Sequence, residues 1–316
     1  MARNTTSAGA REQARKLQQE QERKQKRQSL LLRIGVVGIA VIAVVAIALV
    51  VLTRDGNGGN YTEGPAPAAA TDEGGFVLTS GTELAEGADL GTIDAEDTPS
   101  GDGPASAQPR EEGQRPHLTI FTDAHCVHCA NFEGAYEEIL RGLLDEELIT
   151  LEYRSVSYLQ SRSNYSARAA NAFACMADAS PENYKGYLSN VTANYQGQEI
   201  NNESLAAIAR DSYGVDIESC INDATYRAFA AYVSNTAWEQ GVSGTPTIYV
   251  DDSQYEPNTF FEPLMTEVSE YAEEAGIESD FVQQAEEQLD AEGEDIGQSE
   301  PEAPEDAGST DDGEDE

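Results

Sequence analysis

Cys126-Val127-His128-Cys129 is the stretch whose residue types and spacing can do chemistry. Two thiols separated by two residues can close a disulfide on themselves, exchange it with other thiols, or ligate a metal. In exchange the thiolate is the nucleophile, and a helix N-terminus lowers a thiol pKa from about 8.5 toward ~3.5–7.5. A fall of two units is worth about 2.7 kcal/mol of preference for the thiolate. At a helix start Cys126 falls in the exposed first turn and reads as the nucleophile. Cys129, one turn in and less exposed, reads as the resolving thiol. His128 adds a donating or positively charged neighbour. Stabilising the reduced form in this way makes the disulfide a stronger oxidant. Zinc is the rival, with His117, His125 and His128 nearby. A zinc ribbon needs a second close Cys/His pair, whereas Cys175 and Cys220 stand far apart downstream. The redox reading is therefore preferred, and no metal is expected.

The flanking residues supply the positions this chemistry needs. His117 to Asp123 reads as a short strand, Ala130 to Leu144 as a helix and Leu148 to Val156 as a second strand. Phe132, Tyr136, Ile139, Leu140 and Leu143 recur at steps of three and four, as one buried helix face requires. Strand, helix and strand at this spacing make a βαβ unit with a right-handed crossover. The cysteines then sit where a strand hands over to a helix N-terminus, which has unpaired N–H groups and a partial positive charge.

Helical patterns follow at 163–178, 181–195, 204–213 and 220–240, and read as an inserted helical subdomain at about 160–240. Their apolar stripes are core faces. Gly241 to Val250 then returns the chain to a strand, opened by Pro246. Tyr255 to Phe261 gives a weak partner strand, and 261–289 a final amphipathic helix region. The compact domain is expected over 115–290.

Charge divides the rest. The formal net charge is -39, which argues against a nucleic-acid partner. Residues 1–33 nevertheless carry nine Lys/Arg against three Glu, and no Lys or Arg follows Arg227. Residues 34–52 are wholly apolar or Gly. In a helix they span roughly 28 Å, about one hydrocarbon core. The positive-inside bias places the basic segment 1–33 in the cytoplasm and the remainder outside. The competing reading is a signal peptide cleaved after Ala46-Ile47-Ala48; the long polar n-region favours a retained single-pass anchor. Residues 53–114 are rich in Gly, Ala, Pro, Thr, Asp and Glu and read as a flexible acidic linker. Within them Gly75 to Ser80 is an apolar island, either a strand added to the domain's sheet or a sticky spot in a linker. The tail 291–316 carries twelve acids and no base and reads as disordered.

Asp123 to Cys129, the helical insertion and Gly244-Thr245-Pro246-Thr247 together resemble the DsbA-like branch of the thioredoxin superfamily. More narrowly, the chain resembles the membrane-anchored DsbA-family oxidoreductases of actinobacteria, over roughly residues 115–288. The resemblance implies an α/β thioredoxin-like fold with an inserted helical subdomain, here preceded by a single transmembrane helix. It implies that Cys126 attacks and Cys129 resolves. It further implies a cis Thr245–Pro246 peptide facing the disulfide, whose backbone binds an extended substrate. His128 matches the oxidising members; Val127 stands where they commonly carry proline. In an oxidising compartment Cys175 and Cys220 are expected to form a structural disulfide, two buried thiols being the alternative.

The expected protein is a membrane-tethered, extracytoplasmic thiol–disulfide oxidoreductase. It donates a Cys126–Cys129 disulfide to secreted or cell-envelope proteins with free cysteines. It needs no bound cofactor, and its reoxidant is a membrane oxidase similar to vitamin K epoxide reductase or DsbB. The rivals are a reductase or isomerase on the same fold, and a non-catalytic module that binds a partner or a copper ion.

Overall fold

The computed structural model describes residues 61–99, 101, 103–280 and 282–283. The chain divides into a unit ending at Asn60 and one beginning at Tyr61. The expected basic segment 1–33, membrane span 34–52 and acidic tail 291–316 lie outside the described residues. Among the described residues no helix is long and apolar enough to cross a membrane.

Among the described residues there are eight strands: β1 (Glu63–Pro65), β2 (Phe76–Ser80), β3 (Glu83–Leu84), β4 (Thr92–Asp94), β5 (His117–Thr122), β6 (Thr150–Ser155), β7 (Thr247–Val250) and β8 (Ser253–Tyr255). Six of them form one sheet in the order β3-β2-β6-β5-β7-β8, and β1 pairs with β4 separately. Only β5 and β6 run parallel, with Leu118 opposite Leu151 and Ile120 opposite Tyr153. Both are buried from their second residue onward, as central strands covered on two faces must be.

Helix α1 (Val127–Asp145) joins β5 to β6 and buries Phe132, Leu140, Leu143 and Leu144. Between β6 and β7 lie α2 (Tyr165–Ala179), α3 (Tyr184–Ala193), α4 (Asn202–Tyr213), α5 (Glu218–Asn222) and α6 (Arg227–Glu239). Small residues let α2 sink into this group: Ala169, Ala172, Ala174 and Ala177 are at most 1% exposed. Cys175 of α2 and Cys220 of α5 are joined by a disulfide with Cα atoms 6.0 Å apart. The expected single helix over 220–240 is broken instead at Asp223–Tyr226, where Ala224 takes a left-handed φ of 54°. The amide of Tyr226 there donates to the Asn171 side chain at 2.7 Å. A buried side chain thus receives a helix-start N–H that local sequence leaves unassigned.

Residues 61–99 correct the expectation of a flexible linker over 53–114. Phe76–Ser80 is a strand, paired antiparallel to β6 with Phe76 opposite Tyr153 and Leu78 opposite Leu151. Phe76 is 3% and Leu78 0% exposed. The Phe76 ring lies 4.9 Å from that of Tyr184 and 5.9 Å from that of Phe229. Composition misled because it measures whether a segment can build its own core; this one borrows a sheet edge and a helical layer already made. Gly75 marks the close approach, since a Cβ there would come within 1.7 Å of the Glu152 carboxylate. Buried Glu73 pairs with Arg154, which also meets Glu152 at 3.0 Å. Burial, the largest single influence, would raise the Glu152 carboxyl, but the Arg154 charge and the hydrogen bonds from His117 and Arg154 together outweigh it and hold the group down at about 2.

Two further boundaries differ. The strand after β7 is Ser253–Tyr255, earlier than expected, because Asp251 at φ 49° turns the chain back at once. The last described long helix, α7 (Phe261–Ala275), ends at Gly276, whose φ of 66° closes it. Phe260, expected in a strand, is instead fully buried against Phe132 and Tyr136.

Candidate active site

β5 ends at Thr122 and α1 begins at Val127, and the loop between them is organised by Asp123. One carboxylate oxygen accepts from the His125 amide at 2.9 Å and the Ser166 hydroxyl at 2.7 Å. The other accepts from the amides of Tyr158 and Leu159 at 2.9 and 3.0 Å. Burial outweighs these bonds and raises the Asp123 carboxyl above its ordinary value. The Asp123 carbonyl oxygen accepts from the Cys126 amide at 2.9 Å, which sets the turn into the helix.

Cys126 is the N-cap residue of α1, with extended backbone. It is 6% exposed and Cys129 1%. The nucleophile position is therefore more enclosed than a first-turn residue would be. Both thiols are free. The first turn of α1 has no acidic residue, and the Cys126 side chain makes no short capping bond. The N–H groups of His128 and Cys129 are thus available to the sulfur, at the second and third helical positions that a capping acceptor normally serves. The Cys129 thiol has the largest influence. It donates to the Cys126 sulfur and lowers that group to about 5; the Thr245 side chain and the two amides help, and burial opposes. Burial first, and then the Cys126 sulfur, push Cys129 far up. One thiol of the pair is poised to ionise and the other to keep its proton.

The loop before β7 closes the site. The Thr245–Pro246 peptide is cis, and the Cys126 sulfur lies 3.4 Å from the Thr245 carbonyl oxygen. A cleft of about 300 Å³ runs along residues 241–247, with Gln254, Tyr255 and Glu256 on its other wall. Tyr158 anchors this loop by donating its hydroxyl to the Val242 carbonyl at 2.7 Å. The larger cavity, about 690 Å³, includes His117, Thr150 and Arg154 in its lining. It opens at the starting ends of β5 and β6, and neither cavity has Cys126 or Cys129 in its lining.

The histidines do not converge on the cysteines. His117 turns its Nδ1 to the Thr150 hydroxyl at 2.7 Å. His125 points its Nε2 at Glu199, 3.3 Å away. The His128 side chain is exposed, and the residue acts on Cys126 through its backbone amide. Among the described residues no group of three or more His, Cys, Asp or Glu is arranged to hold a metal ion. Sequence reading missed Asp123, Tyr158, Glu199 and Tyr195. For Asp123 a signal existed, an acid two residues before the amide it accepts; the other three lie far along the chain from the motif.

Residues 114–269 match the thioredoxin family model. No curated protein gives a significant match. Among solved structures, the reduced form of the disulfide bond oxidoreductase DsbG from Mycobacterium tuberculosis is 24% identical, covering 58% of this chain and 90% of its own, with a TM-score of 0.46. The MdbA thiol-disulfide oxidoreductase of Actinomyces oris is 22% identical, covering 46% and 76%, with a TM-score of 0.39. BdbD from Bacillus subtilis is 17% identical over 53% and 99%, with a TM-score of 0.43.

Proposed function

Taking the chain as a member of the thioredoxin superfamily through residues 114–269, we propose that it is a DsbA-like protein disulfide oxidoreductase working as an oxidant. In the oxidised protein a substrate thiolate attacks the Cys126 sulfur. The Cys126–Cys129 bond breaks, Cys129 leaves with the electron pair and takes a proton, and a mixed disulfide joins Cys126 to the substrate. A second substrate thiolate then attacks the substrate sulfur of that bond. Product departs with its new disulfide, and Cys126 leaves as a thiolate. Two substrate thiols have lost two electrons to the cysteine pair.

The observation that carries this reading is the place of Cys126 at the N-cap of α1, with its sulfur 3.4 Å from the Thr245 carbonyl oxygen and its thiol lowered to about 5 by the Cys129 thiol. A well-stabilised Cys126 thiolate is a good leaving group, and a stabilised reduced form makes a stronger oxidant. The backbone of Thr245 receives an extended substrate segment in the manner of strand addition, which gives sequence-tolerant binding. Pro246 holds that backbone beside the sulfur.

The substrates are secreted or cell-envelope proteins. The apolar residues 34–52 anchor the chain with residues 1–33 in the cytoplasm and the domain outside. The pair is recharged by a membrane oxidase similar to vitamin K epoxide reductase or DsbB. Equilibration of the folded protein with glutathione tests the direction. A potential nearer the ~−120 mV of a strong oxidant than the ~−270 mV of a reductant supports the donor role. The opposite result makes it a reductase, a reading favoured by Val127 where oxidants commonly carry proline. Protease treatment of intact protoplasts tests the topology: loss of the domain with a spared N-terminus is expected.

A further inference from the structure

We infer that Glu256 is a specificity-determining residue of the substrate cleft, which favours segments carrying Lys or Arg beside the reacting cysteine. The inference rests on the redox reading above and names a class of substrate that the reading leaves open.

Both walls of the cleft come from the chain after Gln240. One is the loop 241–247, and the other is Gln254, Tyr255 and Glu256. Strand topology brings them together. β7 leaves the loop at Thr247, the chain turns back after Val250, and β8 returns beside it with Ile248 opposite Tyr255. Glu256 is the next residue, so the chain delivers it to the end of β7 where Pro246 and Thr247 enter the sheet. The Cys126 sulfur lies 3.4 Å from the carbonyl oxygen of Thr245, which lines the first wall. A substrate cysteine joined to that sulfur is therefore beside the cleft. Two or three extended residues on either side of it reach about 7–10 Å, enough to run along a space of about 300 Å³.

Charge in this cleft has one sign. Glu256 is the only charged residue in the lining. No Lys, Arg or His follows Arg227, so neither wall carries a base. Asp252, exposed at the turn between β7 and β8, adds to the same sign. Two polar neighbours are already engaged. The Thr247 hydroxyl donates to the Gly244 carbonyl at 2.9 Å, and the Gln254 side chain accepts from the Tyr249 hydroxyl at 3.3 Å. Glu256 differs from both. Thr259 bonds to its carbonyl oxygen, while its exposed carboxylate has no ion-pair partner among the described residues. On α7, by contrast, Glu267, Glu270 and Glu274 share the Arg110 guanidinium. Backbone pairing with an extended segment is indifferent to sequence, so side-chain charge is where the cleft can discriminate. A basic side chain is attracted there. An acidic one meets a like charge, and repulsion of this kind is what selects against wrong partners.

The test uses oxidised full-length protein and three unstructured two-cysteine peptides, alike except for Lys, Gln or Glu flanking both cysteines. Each oxidation rate is divided by that peptide's rate with the neutral hydroxyethyl disulfide, which removes the effect of charge on its own thiols. Circular dichroism confirms that each variant is folded. Wild type should favour the Lys over the Glu peptide by about fivefold. Glu256→Gln should cut that preference by about half or more, and Glu256→Lys should lower it further. Glu138→Gln, exposed on α1 and about 18 Å along it from Cys126, should leave the preference unchanged. Equal rates for the Lys and Glu peptides in wild type overturn the inference. So does a preference that survives Glu256→Gln or Glu256→Lys. An equal fall in Glu138→Gln means that the overall negative charge selects, and it overturns the role of Glu256. In each of these cases oxidation of the Gln peptide still upholds the redox reading. Protein that oxidises none of the peptides defeats that reading, and this inference with it.

Discussion

The two cysteine pairs of this protein share an element type and differ in fate. Cys126 and Cys129 sit at the start of α1, and Cys175 in α2 bonds to Cys220 in α5 across 45 residues. Cys175 is 1% exposed and surrounded by the alanines and Phe173 of its own buried helix. No helix N-terminus serves it. Cys126 is nearly as enclosed, yet a neighbouring thiol and two free amides stabilise its anion. Burial alone therefore does not make a cysteine inert. What separates the pairs is that Cys126 caps a helix start beside a second thiol, whereas Cys175, whose sulfur accepts one long bond from Asn171 at 3.8 Å, is closed by Cys220.

The largest effect should come from breaking the first pair. Cys126→Ser should abolish oxidation of a reduced test protein, whereas Cys129→Ser should stop turnover with mixed disulfides accumulating on Cys126, seen by non-reducing electrophoresis. If Cys129→Ser turned over normally, the division of labour between the two thiols would be wrong.

Breaking the second pair should cost stability and spare chemistry. The loop-closure relation gives about 4 kcal/mol for a bridge of this span. Replacing both Cys175 and Cys220 by Ala should lower the denaturant midpoint accordingly, with the rate per folded molecule unchanged. A shifted redox potential in that variant would show that the two pairs are coupled.

The pH dependence sharpens the contrast. With its group lowered from 9.0 to about 5, Cys126 in the reduced protein should react with iodoacetamide at a rate that climbs as pH rises through about 5 and then levels off. Cys129 should stay silent over that range. A depressed folded-state pKa adds stability that is fully present above the unfolded value and lost as pH falls through the folded one. The reduced form should thus gain on the oxidised form in Tm as pH rises from about 5 toward 9, and the gain should vanish near pH 4. An equal Tm difference at pH 4 and 8 contradicts the assignment.

The smallest effect is expected at His128. Its side chain is exposed and its amide, which any residue supplies, faces the sulfur. His128→Ala should move the thiolate midpoint by less than about half a pH unit. A larger shift in a thiolate absorbance titration would return the ring of His128 to the site.

Much of the site was legible because its parts are local. A strand, a Cys-x-x-Cys and a helical stripe of Phe132, Leu140 and Leu143 lie within one βαβ unit, where period and spacing speak directly. Gly244-Thr245-Pro246-Thr247 was legible as a second motif, and the structure brings it to the Cys126 sulfur. Residues 61–99 were not, since their few apolar side chains dock on a surface built elsewhere in the chain. The break at Ala224 was hidden too, because the bond that accommodates it comes from Asn171 on another helix.

By itself the sequence determined the reactive pair, the α/β frame around it and the helical insertion, for these follow from residue type at short spacing. It also determined the asymmetry of charge, with the bases gathered before residues 34–52. Only the tertiary structure decided that Thr245, 119 positions away, meets Cys126, and that the segment carrying Glu199 and Tyr195 meets His125. It alone decided that Phe76–Ser80 completes the sheet and that Glu73, Glu152 and Arg154 are buried together. The physical reason is the same in each case. A thiolate or a buried carboxylate is stabilised by donors and charges within a few ångströms, and distance through space has no expression in the local order of residues.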